Sequence, residues 1–136
     1  IYIFDDIAHS PKKAEATLQS LQKTFEGNII AIFEPNSGNR QAESLPGYDN
    51  KFTSANTVII PRLSKIKHAP NTPVPKDGQA LANYISKTHP NVLYIEDDDA
   101  LVEKIKKIAH KGDAIVFLGS HGFRGMIEGV VEGVKI

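Results

Sequence analysis

Residues 1–35 read IYIFDDIAHSPKKAEATLQSLQKTFEGNIIAIFEP. Two apolar runs rich in β-branched residues, "IYIF" at 1–4 and "NIIAIF" at 28–33, flank a segment in which Ala14, Leu18, Leu21 and Phe25 recur at helical spacing. Ser10 stands where an N-cap belongs, and Pro11 occupies the first helical position, where a missing N–H does no harm. The stretch therefore reads as strand, helix, strand. Its strand runs are almost continuously apolar, which suits strands buried on both faces of a parallel sheet. The unit recurs along the chain. "NTVII" (56–60), "NVLYI" (91–95) and "DAIVFL" (113–118) read as three more strands. Leu81, Tyr84 and Ile85 mark a second helix. Leu101, Val102, Ile105, Ile108 and Ala109 mark a third, started by the aspartates at 97–99 and stopped at Lys111-Gly112. A last helix is expected from about residue 125 toward 134 and a short one within 47–54, while 61–77 reads as a long proline-rich connection. The fold class that follows is α/β: a Rossmann-like open, mostly parallel sheet of five to six strands flanked by helices, with right-handed crossovers. Ligands in such sheets sit at the carboxyl ends of the strands.

The 136 residues suffice for one domain with a genuine core, spanning 1–136. Sixteen basic and sixteen acidic side chains cancel, so no global field favours nucleic acid or an anionic membrane. Without cysteine there is no disulfide, thiolate nucleophile or thiolate zinc site, in keeping with a reducing cytosol. No apolar run approaches the roughly 20 residues that a membrane span needs. The chain opens directly on a strand with no initiator methionine, and the expectation is a domain excised from a larger protein whose partner domains lie upstream.

Three polar clusters follow strands immediately, where a ligand site is expected. In "DDIAHSP" an aspartate past the strand end can accept hydrogen bonds from a ribose diol, and His9 lies at a helix N-terminus that attracts phosphate. Left open is that Asp5 or Asp6 only caps the turn and His9 is an exposed loop residue. "FEPNSGNR" crowds Glu34, Asn36, Ser37, Asn39 and Arg40 around Gly38, with Arg40 able to pair with a carboxylate or phosphate; an ordinary Asn/Ser/Gly loop remains the alternative. "FLGSHGFRG" spaces Gly119, Gly122 and Gly125 by three between strand and helix, so that backbone N–H groups can approach an anion beside Ser120 and His121. A turn serving packing alone is its alternative. Neither a nucleophile elbow nor a dinucleotide fingerprint fits this register.

Other polar features read as bland. Asp97, Asp98 and Asp99 lack the spacing of a calcium loop and read as a solvated helix N-terminus. His68, His89 and His110 have no helical metal-site spacing and read as surface residues. No metal site or catalytic side chain is assigned. There is also no P-loop, so this chain does not hold a nucleoside triphosphate in that way by itself.

Taken in order, the three loops resemble those of the C-terminal, glutamate-ligase-type domain of the Mur ligases, ATP-dependent amide-forming enzymes of bacterial cell-wall precursor synthesis. "DDIAHSP" resembles the family's D-x-x-H-x-P motif. "FEPNSGNR" resembles the F-Q-P-H-R-x-x-R loop of the alanine-adding branch, matching at Phe33, Pro35 and Arg40. "SHGFRG" resembles the N-G-G-F-G-G turn of the peptide-recycling branch, whose E-P-R-S loop is also similar to Glu34-Pro35 followed by Ser37. The departures are Ser10 in place of a second histidine, and Asn36 and Ser37 in place of His-Arg.

The resemblance implies a lid domain, usually with one antiparallel strand, that closes over a central ATPase domain beside an N-terminal UDP-binding domain of the same protein. It implies ATP and Mg2+ as cofactors, with Mg2+ held mainly by the central domain. The implied reaction joins UDP-N-acetylmuramate to L-alanine or to L-Ala-γ-D-Glu-meso-diaminopimelate through an acyl-phosphate, in the bacterial cytoplasm, with the isolated domain inactive. By position, Asp6 and His9 would touch ATP. Asn36, Arg40, Gly119, Ser120, His121 and Gly122 would line the acceptor site. The competing expectation is a stand-alone flavodoxin-like module that binds a small ligand or a protein; its receiver-domain version fails because "IIPRL" and "FLGSHG" lack the required aspartate and lysine.

Overall fold

The computed structural model describes residues 1–64, 70–71, 76–119 and 122–134. All five predicted strands form: β1 (Tyr2–Asp6), β2 (Ile29–Phe33), β3 (Thr57–Pro61), β4 (Val92–Ile95) and β5 (Ala114–Leu118). They make one parallel sheet in the order β1-β5-β2-β3-β4. Among the described residues no antiparallel strand joins it, so the sheet has five strands and lacks the sixth that the resemblance allowed.

Among the described residues four helices accompany the strands: α1 (Pro11–Thr24), α2 (Gly78–Ile85), α3 (Asp98–Ile108) and α4 (Met126–Gly133). The first three start on side-chain caps that satisfy backbone donors otherwise left without a partner. Ser10 Oγ accepts from Lys13 N at 3.3 Å, Asp77 Oδ1 from Ala80 N at 2.8 Å, and Asp97 Oδ2 from Ala100 N at 2.8 Å. The short helix expected within 47–54 lies earlier, as a 3-10 segment over Ala42–Tyr48. Two features stop it from running on. The Tyr48 hydroxyl is pulled back to Asn39 O at 2.7 Å, and Asn50 adopts a left-handed φ of 59° that no right-handed helix accommodates.

Alternate residues of each central strand serve opposite faces of the sheet. Ile29, Ala31, Phe33, Val58, Ile60, Val116 and Leu118 pack with Leu18, Tyr48, Phe52, Leu81 and Ile85. Ile30, Ile32, Ile59, Ile115 and Phe117 pack with Leu101, Ile105, Met126 and Val130. One face is thus covered by α1, the 42–48 segment and α2, the other by α3 and α4. This burial on both sides is what the continuous apolar runs demanded.

One histidine departs from its expected surface position. His89 is buried; its Nδ1 accepts from Asn91 N at 3.0 Å and its Nε2 bonds Ala55 O at 2.8 Å. The ring is therefore held as the tautomer with its proton on Nε2. His110 is exposed as expected, and His68 lies outside the described residues.

Helix α2 sits so close to the sheet that a Cβ on Gly78 would lie 2.5 Å from the Tyr94 ring and 2.8 Å from the Pro61 carbonyl oxygen. The backbone oxygen cannot swing aside. Gly78→Ala is therefore expected to destabilise the fold by about 1–3 kcal/mol, read as a lower urea midpoint at unchanged slope; an unchanged midpoint would show that helix and strand can separate freely.

Candidate functional site

The connections after β1, β2 and β3 lead to the first face of the sheet, and those after β4 and β5 to the second. Because β5 lies between β1 and β2, the chain leaves three neighbouring strand ends in opposite directions. Open α/β sheets bind ligands in the crevice outside such a switch point. The three polar clusters meet at it. Gly119 N donates to Asp6 O at 3.0 Å, Glu34 N to Leu118 O at 2.9 Å, and Asn36 N to His9 O at 3.1 Å.

On the β1 side, Asp6 is half-buried and partly engaged. Its Oδ1 accepts from Ala8 N at 2.9 Å and its Oδ2 lies 3.4 Å from the Thr17 hydroxyl. An ionised carboxylate has about four acceptor positions, so Asp6 both caps its turn and keeps capacity for a ligand hydroxyl. Asp5 is exposed. His9 opens the approach to α1 with a buried Nδ1 that finds no hydrogen-bond partner among the described residues. Buried polar atoms are rarely left so. This combination fits the ribose and phosphate side of a nucleotide.

The β2 loop is built inward. Glu34 is 1% exposed and Arg40 4%. The Arg40 guanidinium donates from Nε to Pro35 O at 3.1 Å, and from Nη2 to Pro35 O at 2.9 Å and Glu34 Oε2 at 3.2 Å. Its Nη1 donates to Ser64 O, while Ser64 N donates back to Glu34 Oε2 at 2.6 Å. Arg40 does find a carboxylate, as its chemistry suggested, but the carboxylate belongs to the same loop. Its guanidinium thus donates four hydrogen bonds within the protein. Burial pulls its pKa below the ordinary arginine value, and Glu34 opposes that pull. Asn36, half-buried, pairs with Asn39 through their side-chain amides.

At the β5 end, Gly119 is required by close approach: a Cβ there would lie 2.9 Å from the Phe123 ring and 3.1 Å from Glu34 O. Gly122 is exposed with open space around it. Ser120 and His121 lie outside the described residues. Beyond them Phe123 and Arg124 both adopt left-handed φ, 54° and 50°.

Sequence reasoning missed what this turn delivers. Arg124 donates to both oxygens of Asp98, from Nε at 2.8 Å and Nη2 at 2.9 Å, and Nη2 also reaches Arg62 O at 2.9 Å. Its Nη1 lies 3.4 Å from Ser64 Oγ and 4.0 Å from Glu34 Oε1. Arg62 adds a second contact to Asp98 at 3.3 Å. Asp98 was thus more than part of a solvated helix start, although Asp97 does cap it. The only available signal was a lone arginine between two glycines. Among the described residues no group of three acidic or histidine side chains could hold a metal ion, and no helix is long and apolar enough to cross a membrane.

A model of the Mur ligase, glutamate ligase domain family matches residues 1–121. The chain belongs to this family. The UDP-N-acetylmuramate–L-alanine ligase of Caldanaerobacter subterraneus subsp. tengcongensis is 30% identical over 120 residues, covering 88% of this chain and 26% of that protein. The chain thus spans about a quarter of the length of the curated relatives it matches. Among solved structures, the murein peptide ligase of Psychrobacter arcticus has a TM-score of 0.76 at 21% identity, covering 98% of this chain and 28% of that one. The MurF ligase of Thermotoga maritima, solved in complex with ADP, has a TM-score of 0.59 at 18% identity, covering 96% and 27%. These structures share the fold of this Mur ligase domain.

Hydrogen bonds from Arg124 hold the Asp98 carboxyl below the usual carboxylate range, and Asp98 raises Arg124 in turn. A pKa depressed in the folded state contributes stability above the unfolded value, about 4, and loses it as pH falls through the folded one. Asp98→Asn should therefore cost about 1 kcal/mol at pH 7 and progressively less on acidification. Urea unfolding at pH 7 and pH 3 checks this; a penalty of equal size at both would refute the ion pair as its source.

Proposed function

We propose that this domain is the lid of an ATP-dependent ligase that joins the carboxylate of UDP-N-acetylmuramate to the amine of L-alanine or of L-alanyl-γ-D-glutamyl-meso-diaminopimelate. The observation that carries the reading is the meeting of three loops at one crevice, in a chain of this family. The first loop supplies the nucleotide side: Asp6 accepts from the ribose, and His9 with the N-terminus of α1 faces the phosphates. The second and third supply the acceptor side, through Asn36, Gly119, Ser120, His121 and Gly122. Arg40 shapes that side from behind, since its guanidinium is occupied within the loop.

ATP, when bound, converts the muramate carboxylate to an acyl-phosphate that the acceptor amine can attack. Positioning and charge stabilisation dominate such chemistry. The lid's part is to exclude water and align the amine. A P-loop and Mg2+ ligands would come from a central domain and the UDP site from an N-terminal domain of the same protein, so the lid alone is expected to be inactive. The setting is the bacterial cytoplasm, where ATP and a UDP-linked substrate are both at hand. Two observations divide the acceptors: the curated relatives are named for L-alanine, while Glu34-Pro35 with Ser37 resembles the peptide-recycling loop.

Phosphate release from ATP by the intact protein, with UDP-N-acetylmuramate and either L-alanine or the tripeptide, tests the reading. Release that depends on one acceptor is expected and names the branch. Release with neither would favour a free-standing binding module. Asp6→Asn keeps an oxygen for Ala8 N but removes the charge offered to the ribose. It should raise the ATP KM by a factor corresponding to about 1.5–3 kcal/mol with little change in acceptor KM, and unchanged ATP kinetics would reduce Asp6 to a turn cap.

A further inference from the structure

The nucleotide and acceptor assignments leave one buried charged group without a task. Glu34 has its Oε2 bonded by Arg40 Nη2 and by Ser64 N, which fastens the β2 loop to the segment after β3. Its Oε1 is buried and has no hydrogen-bond donor among the described residues. Arg124 Nη1 lies 4.0 Å from it. That distance gives an electrostatic tether without a hydrogen bond, yet Arg124 is aimed at it with care. The Nε and Nη2 side of its guanidinium is held by Asp98 and Arg62 O, which leaves Nη1 turned toward Glu34 and Ser64. The left-handed backbone at Phe123 and Arg124 is a conformation non-glycine residues seldom adopt. Arg124 also lies beyond the residues that the family model matches.

We infer that Glu34 is a positioning residue for the acceptor: through Arg124 it couples the β2 loop to the β5 turn, so that both acceptor-facing loops are set by one buried carboxylate. The inference rests on the ligase reading above. The geometry gives it a direction. Glu34 belongs to the acceptor side of the crevice, and none of its described contacts is to Asp6 or His9, so its loss should act on the acceptor rather than on ATP. Because a buried carboxylate at this distance acts on Arg124 mainly through charge, a neutral isostere is the informative change.

The test uses the intact ligase. Glu34→Gln keeps an oxygen for Ser64 N and removes the charge; Arg124→Gln removes the other end. Each is expected to raise the KM of the active acceptor about tenfold while the ATP KM stays within about twofold. Arg124→Gln also breaks the bonds to Asp98 and Arg62 O, so the double variant should be no worse than Arg124→Gln alone, which has already removed the coupling that Glu34→Gln breaks. Additive effects on acceptor KM, or equal rises in the two KM values, would overturn the inference. If Glu34→Gln fails to fold, Arg124→Gln carries the test alone, and an unchanged acceptor KM there overturns it. A wild-type protein that releases no phosphate with either acceptor defeats the ligase reading, and this inference with it, before any variant is made. An active wild type with an indifferent Glu34→Gln defeats the inference only.

Discussion

The insertion of β5 between β1 and β2 is the constraint on which the site depends. The register places Asp6 and Phe33 on either side of Leu118. Two backbone hydrogen bonds continue that ladder past the strand ends, from Gly119 N to Asp6 O and from Glu34 N to Leu118 O. Residues more than a hundred positions apart in sequence are thereby brought to one crevice by main-chain pairing, before any side chain contributes. All five residues of β5 are buried, so its place is enforced from above and below by the two hydrophobic layers as well as from its edges.

A second constraint is electrostatic. Burying a lone carboxylate or guanidinium is costly, and the penalty falls only when partners and hydrogen bonds are supplied. The Glu34–Arg40 pair meets this with backbone groups: Pro35 O takes two guanidinium donors, Ser64 O a third, and Ser64 N donates to the carboxylate. The loop after β2 consequently has a polar core of its own, buried and directional. Such a core fixes where Asn36 lies relative to His9, a relation no hydrophobic contact would specify as sharply.

Legibility in the sequence followed the range of the forces involved. Strands were plain because burial on both faces leaves a continuous apolar run, and α1 was plain because Ser10 and Pro11 announce its start locally. The misplacement at 47–54 came from Tyr48, whose hydroxyl is drawn to a loop nine residues earlier. His89 was misread because its distant partner, Ala55, becomes a neighbour only when β3 and β4 pair. Motif position brought Asp6, His9, Asn36 and Gly119 to one crevice. Arg40 bonds Ser64 O after β3 as well as its own loop, and Arg124 bonds Asp98 and Arg62 O from 26 and 62 positions away. No local pattern announces contacts of that separation.

The strand order also has a kinetic side. Among the described residues β1 pairs with β5 alone, and those two strands are separated by most of the chain. β2, β3 and β4 can assemble in sequence, but the β2 edge facing β1 stays open until residues 114–118 arrive. Contacts of such long range are slow to form because chain entropy must be lost before they reward it. During that interval "IIAIF" is an unpaired, wholly apolar edge, the kind of surface on which chains add to one another. An interior strand that is also the last in sequence thus exposes this fold to aggregation while it forms, and the speed with which β5 docks sets how long that exposure lasts.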